Sequence, residues 1–259
     1  MKNEKTRKFI RAISVALIVG GLGYAGRELY SSLNSKNKIE KDQNISKNIA
    51  YEVGLDKEKM EKEKEIKAAN EYIGKLRQKY SNDDIIGRLE FKKLGLDFVL
   101  VHSHNNQEYL DWGLNKQSSY TGSIFLDKDN KDDFSDFHSR IFGHRMLDGT
   151  VFGGFRYFLD QGFADKNKED NFFKLTTEKG IKMYDIVSIL DITDNSDNVP
   201  LKAEEEFLDN INNHSVVKIN RTGKEVDVDD NIVSLISCKP MGPSPHSTRR
   251  IVIVGMERK

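Results

Sequence analysis

The sequence predicts a mostly β chain, a closed or nearly closed barrel of about eight short strands with peripheral helices, behind an N-terminal helical stalk. Three observations carry this. From about residue 85 onward, short runs rich in β-branched and aromatic residues are separated by turn signals such as Asp129-Asn130 and Thr222-Gly223. Residues 31–80 are instead rich in Lys, Glu and Asn, and over Lys57–Tyr80 the apolar residues recur at three- and four-residue steps. With 37% hydrophobic and 32% charged residues, the 259-residue chain is too polar to be core throughout, so part of it is a solvated appendage.

The N-terminus addresses the chain to a membrane. Lys2, Lys5, Arg7, Lys8 and Arg11 face a single acid, Glu4, and Ala12 to Gly26 then runs 15 residues without a charge. Phe9, Ile10, Leu29 and Tyr30 lengthen the apolar stretch if Arg11 and Arg27 snorkel. A basic flank ahead of such a run keeps the N-terminus cytoplasmic and exports the rest. No small-x-small cleavage site precedes a polar start, so an uncleaved signal anchor is favoured over a signal peptide. Gly21 to Gly26 also fits G-x-G-x-x-G, but the following NSKNKIEKDQNISKN cannot form the second buried strand of a dinucleotide fold. The division expected is a basic tail (1–8), an anchor (9–30), a polar helical stalk (31–80) and a barrel (81–259).

Within the barrel the expected strands are Phe98–His102, Ser123–Leu126, Arg140–His144, Phe172–Thr176, Ile181–Ile192, Ser215–Ile219, Ile232–Ser237 and Arg250–Val254. Two helices interrupt them. Thr150–Phe163 gathers Val151, Phe152, Phe155, Phe158, Leu159 and Phe163 on one face. Leu201–Asn212 places its acids in the first turns, where the helix dipole favours them.

Composition excludes several functions. Lys+Arg and Asp+Glu are both 41, which argues against a nucleic-acid binder working through a broad basic field. One cysteine allows no internal disulfide and no Cys-based zinc cluster. That residue, Cys238, ends a strand and is followed by Lys239-Pro240-Met241-Gly242-Pro243, so it faces a loop. From placement alone it is either a buried small hydrophobe or a nucleophile.

A nucleophilic thiol needs a basic neighbour. Of six histidines, His144 stands out at the end of Arg140-Ile141-Phe142-Gly143, and His246 in the proline-rich loop is the reserve. His102 and His104 share a strand face, but with no third ligand a surface pair is the simpler reading and no metal is expected. A third group must stabilise an oxyanion, and Arg249-Arg250 opens the strand that follows the Cys238 loop. Strand alternation lets only one of that pair point into a site.

Taken together, these residues resemble the sortases, cysteine transpeptidases of Gram-positive cell surfaces, and within them class B. Tyr109-Leu110 with Thr121-Gly122-Ser123-Ile124-Phe125-Leu126-Asp127 is similar to the family's Y-L…GSIF-D stretch. Phe142-Gly143-His144-Arg145-Met146-Leu147-Asp148-Gly149-Thr150-Val151-Phe152 resembles Y-G-H-N-M-x-D-G-x-M-F, which holds the catalytic His. Ser234-Leu235-Ile236-Ser237-Cys238 resembles T-L-x-T-C, and Arg249 to Val254 resembles the K-R-hydrophobic strand, with Arg250 at the catalytic Arg.

The resemblance implies a sortase-like eight-stranded β-barrel and a membrane-anchored transpeptidase with its catalytic domain outside the cell. Cys238 would attack the carbonyl of a sorting motif in a surface protein, His144 would protonate the leaving amine, and Arg250 would hold the oxyanion. A cell-wall amine would then resolve the thioester, or a pilin lysine if the enzyme polymerises pilins. Ser234 and Ser237, standing where the family has threonines, are expected at the substrate. No cofactor, metal or nucleic acid is implied. A non-catalytic surface adaptor on the same barrel is the rival outside enzymology, and a papain-like peptidase is disfavoured by the barrel pattern and by a His that precedes the Cys.

Overall fold

The computed structural model describes the backbone of residues 2–56, 60–193, 205–220, 223–241 and 249–258, and side chains from residue 20 onward within those ranges except 193 and 238–249. Eight strands close into a single barrel: β1 (Ile85–Phe91), β2 (Leu96–His102), β3 (Ile124–Leu126), β4 (His138–Met146), β5 (Phe172–Thr177), β6 (Gly180–Thr193), β7 (Ile232–Met241) and β8 (Arg249–Glu257). The order around the barrel is β1-β2-β3-β4-β7-β8-β6-β5, and β1 closes it against β5. The β2/β3 and β4/β7 pairs are parallel and the others antiparallel.

Seven of the expected strands are present, with two corrections. Ser215–Ile219 is not a strand. Its alternation is real, since Val217 and Ile219 are buried. Its backbone, however, bonds mainly to side chains: Lys218 N donates to Gln161 Oε1, and Ser215 Oγ donates to the Val217 carbonyl. The strand missed is β1, whose Arg88 and Glu90 disguise it as polar surface. Arg88 is 2% exposed because its guanidinium grips Asp97 on β2 with two bonds, Nε to Oδ1 at 2.9 Å and Nη2 to Oδ2 at 2.8 Å. Ser46 and Asp56 complete that hub by bonding Asp97 and Arg88.

Among the described residues there are five α-helices: α1 (Lys2–Val53), α2 (Lys62–Tyr80), α3 (Glu108–Asp111), α4 (Gln161–Asp165) and α5 (Glu205–Asn213). The expected helix Thr150–Phe163 is instead a 3-10 stretch, Phe152–Leu159, followed by the short α4. Gly153 explains the tight winding, because a β-carbon there would lie 2.1 Å from the Met146 carbonyl oxygen. Asp160 then caps α4 by accepting from Phe163 N. The first residues of the expected helix Leu201–Asn212 fall outside the described residues.

Two compact units divide the chain, residues 1–40 and Lys41–Lys259. In the first, helical residues Leu22, Tyr24, Leu29, Tyr30 and Leu33 are exposed. Among the described residues no helix is long and apolar enough to cross a membrane. Much of the expected anchor, residues 9–19, has side chains outside the description. In the second unit the part of the expected stalk from Lys41 onward packs with the barrel: Ala69, Tyr72, Ile73 and Leu76 of α2 are fully buried with Ala50 of α1 and Val101 and Ile85 of the sheet. Removing one partner of a buried ion pair strands the other charge. Asp97→Ala should therefore lower unfolding stability by about 3 kcal/mol, the low end of such losses because Arg88 keeps Asp56 and Glu90 nearby, as measured by urea denaturation.

Candidate active site

The parallel pairing of β4 with β7 brings His144 and Cys238 to the same place. It runs in step from His138↔Ile232 to Gly143↔Ser237, then shifts so that Arg145 pairs with Pro240. His144 lies at that step, beside the backbone of Cys238 and Lys239. The Cys238 side chain lies outside the described residues, as does all of His246. Gly143 is required here: a β-carbon would sit 2.5 Å from Ile124 Cδ1 and 2.8 Å from Phe152 Cδ2.

A backbone atom fixes the imidazole of His144. Nε2 lies 2.7 Å from the carbonyl oxygen of Leu110, which can only accept, so Nε2 carries the proton. Nδ1 is then the bare lone pair, and it is buried without a hydrogen-bond partner among the described residues. Burial holds the imidazole below its ordinary pKa of about 6.5, against the partial opposition of the Leu110 bond and the nearby Asp111 carboxylate. The ring is a neutral base aimed by its other nitrogen. Gly122 makes room for this carbonyl. At φ +58° it lies where a β-carbon would be 2.4 Å from Leu110 O and 2.5 Å from Tyr109 O. Ser123 N bonds Tyr109 O at 2.9 Å, and the Tyr109 hydroxyl donates to Asp84 Oδ2 at 2.7 Å. The Y-L and T-G-S-I-F segments thus meet behind the histidine.

Arg250 reaches the same end of the barrel. The last β7/β8 pair is Ile236↔Val252, so Cys238 and Arg250 each lie two residues beyond it. Arg250 also lines a cleft of about 490 Å³ whose apolar floor includes Phe142, Ile192 and Ile236. The side chain of Arg249 lies outside the described residues.

Ser234 and Ser237, expected at the substrate, are not among the residues that line this cleft, and neither is His144. Both serines are fully buried. Ser234 Oγ lies 2.8 Å from Nε2 of His138, whose ring stacks on Phe207 of α5 at 4.8 Å. Ser237 Oγ accepts from Ile251 N at 2.8 Å and stitches β7 to β8. The His102 and His104 pair is also apart from the cleft. His102 Nδ1 bonds Asp132, a carboxylate that outweighs burial and raises the imidazole pKa. His104 is 87% exposed, and no group of three His, Cys, Asp or Glu able to hold a metal occurs among the described residues.

Sequence reasoning missed the Leu110 carbonyl, because a backbone oxygen carries no residue signature. It also missed Asn106, Asp127 and Arg140, which form a polar wall of the cleft. Only the alternation of Arg140, Phe142 and His144 along β4 hinted at them.

No protein-family model matches the chain. Two curated relatives do, both described as sortase B. The Listeria monocytogenes protein is 26% identical over 164 residues, 61% of this chain and 63% of that one. The Staphylococcus aureus protein is 25% identical over 178 residues, 67% of this chain and 70% of that one. The match thus spans just under two thirds of the Listeria relative. The solved S. aureus sortase B–substrate complex superposes with a TM-score of 0.70 at 20% identity, covering 89% of this chain and 99% of that one.

The chain is similar to the class B sortases in sequence and in fold.

As in the sortase B structures, it is a closed eight-stranded barrel with added helices. The buried neutral His144 has a consequence for the stability of this chain. Below pH about 6.5 the unfolded imidazole takes a proton that the folded one resists, so this residue's contribution is complete above that pH and is lost as pH falls through the folded value. On acidification from pH 7.5 to 5, the Tm of the wild-type chain should fall further than that of His144→Gln, by differential scanning fluorimetry at matched ionic strength.

Proposed function

We propose that this chain is a surface transpeptidase that cleaves a sorting-type peptide through a Cys238 thioester and transfers the acyl group to a primary amine. One observation carries the reading: the β4/β7 register sets Cys238 of the nucleophile motif beside a histidine whose only proton is committed to Leu110. The chemistry follows from the groups. His144 Nδ1 accepts the thiol proton, and the thiolate attacks the scissile carbonyl carbon. Arg250 stabilises the oxyanion with a guanidinium fixed at the cleft. The C–N bond then breaks, and His144 returns its proton to the leaving amine. An incoming amine attacks the thioester, His144 takes its proton, and the thiolate leaves.

The solved complexes of S. aureus sortase B with a substrate and of sortase B with triglycine support a peptide donor and an amine acceptor. A S. pyogenes class B sortase involved in pilus biogenesis keeps a lysine acceptor in view. The basic N-terminal segment and the uncharged run 12–26 support tethering at the cell membrane with the barrel outside.

Mass spectrometry of the acyl-enzyme formed with a peptide library tests the reading directly. Wild-type chain should gain the mass of a cleaved peptide on Cys238, and Cys238→Ala should gain none. A Cys238→Ala variant that still transfers would overturn the mechanism. Arg250→Ala should lower kcat by about 10²–10³-fold, the usual loss for one oxyanion donor. Offering triglycine and a lysine peptide side by side to the acyl-enzyme separates the two acceptors.

A further inference from the structure

The cleft beside Arg250 contains a second guanidinium that the mechanism leaves unused. Arg140 sits on β4 four residues before His144, and its side chain is 12% exposed. Its Nη2 donates to Asp127 Oδ2 at 2.8 Å, and the Asp127 side chain is only 3% exposed. Asp127 gathers more than this one bond. Its Oδ2 also accepts from Asn106 Nδ2 at 3.0 Å, and its Oδ1 accepts from Asp129 N at 2.9 Å. Asn106 in turn accepts from Lys128 N at 2.8 Å, and Asn130 Oδ1 accepts from Arg140 N at 2.8 Å. One carboxylate–guanidinium pair therefore ties the loop through Asn106 and the turn after β3 to the sheet that carries the histidine.

Burying such a pair is an expensive way to pack. Apolar side chains of similar volume would serve stability as well or better, because desolvation of both charges offsets their attraction. What the pair supplies that packing does not is a fixed polar wall. Asn106, Asp127 and Arg140 all line the cleft, facing the same apolar floor as Arg250.

We infer that Arg140, locked by Asp127, is a substrate-positioning residue that sets how the donor peptide seats in the cleft. The inference rests on the transpeptidase reading and adds a determinant of peptide binding to it. Arg140 acts through the Asp127–Asn106 wall and takes no part in the proton transfers. Its loss is therefore felt in KM, and the thiol keeps its reactivity.

The test uses a fluorogenic version of the peptide recovered from the acyl-enzyme library. Arg140→Met and Asp127→Asn should each raise KM about tenfold while kcat stays within about twofold, the pattern of lost ground-state and transition-state binding alike. Arg140→Lys keeps the charge and a donor and should recover most of the affinity. The double variant should be no worse than the singles, because both remove one interaction. The rate of Cys238 alkylation by iodoacetamide, without peptide, should match wild type in all four.

Unchanged KM in a folded Arg140→Met chain overturns the proposal, as does parallel slowing of alkylation, which would mean the whole mouth had loosened. Should Arg140→Met fail to fold, Arg140→Lys and Asp127→Asn decide alone: the inference falls if Asp127→Asn binds peptide like wild type or if Arg140→Lys binds no better than Asp127→Asn. Absence of any wild-type acyl-enzyme would instead sink the transpeptidase reading itself, and the inference with it.

Discussion

The site depends on one structural constraint, the parallel pairing of β4 with β7. Parallel neighbours cannot be joined by a tight turn, so the two strands bring together residues almost a hundred positions apart in the chain. The pairing stays in step as far as Gly143 and Ser237 and then slips, and the slip falls at His144 and Cys238. A regular ladder continued through this point would hold both backbones in the sheet. The irregularity releases both strands from the regular ladder at this point, as bulges at barrel rims do. Gly143 permits it, because Ile124 and Phe152 fill the space a side chain would need.

Around that pairing the molecule uses backbone groups to aim side chains. The Leu110 carbonyl holds His144 Nε2, and Gly122, at positive φ, allows the Tyr109–Leu110 backbone to approach. Ser237 Oγ accepts from Ile251 N. Ser234 serves His138, which carries Phe207 of α5. Ser234 and Ser237 of β7 therefore work for the sheet. The residues that shape the cleft come from β4, β6, β7, β8 and the loops over them.

Two buried charge hubs have different surroundings. Arg88 and Asp97 lie under the N-terminal helices, where Tyr72 and Ser46 complete a closed polar island away from the cleft. Arg140 and Asp127 lie at the cleft wall. In both, a carboxylate accepts from more than the guanidinium, which is what makes buried charge tolerable. The first hub fastens helices to the barrel, and the second fastens loops to the sheet beside the histidine.

Much of this was legible along the chain. Short β-branched runs divided by turns announced a barrel, and seven of the eight expected strands formed because alternation and burial agreed in them. The motif residues His144, Cys238 and Arg250 could be singled out because strand ends followed by loop residues are readable locally. What failed was whatever depended on a partner distant in sequence. β1 was absent from the expected strands because the partners that bury Arg88, Asp97 and Asp56, lie on another strand and in the segment after α1. Ser215–Ile219 read as a strand although its backbone bonds largely to side chains. The partners of the Ser234 and Ser237 hydroxyls, His138 and Ile251 N, could not be told from their neighbours in sequence. The amino-acid order determined the barrel class, the helical N-terminal part and the chemical groups available at the strand ends. Only the tertiary structure decided which of those groups lie on neighbouring strand ends and which nitrogen of His144 carries its proton, because both depend on register and backbone position across strands, and neither is written in local periodicity.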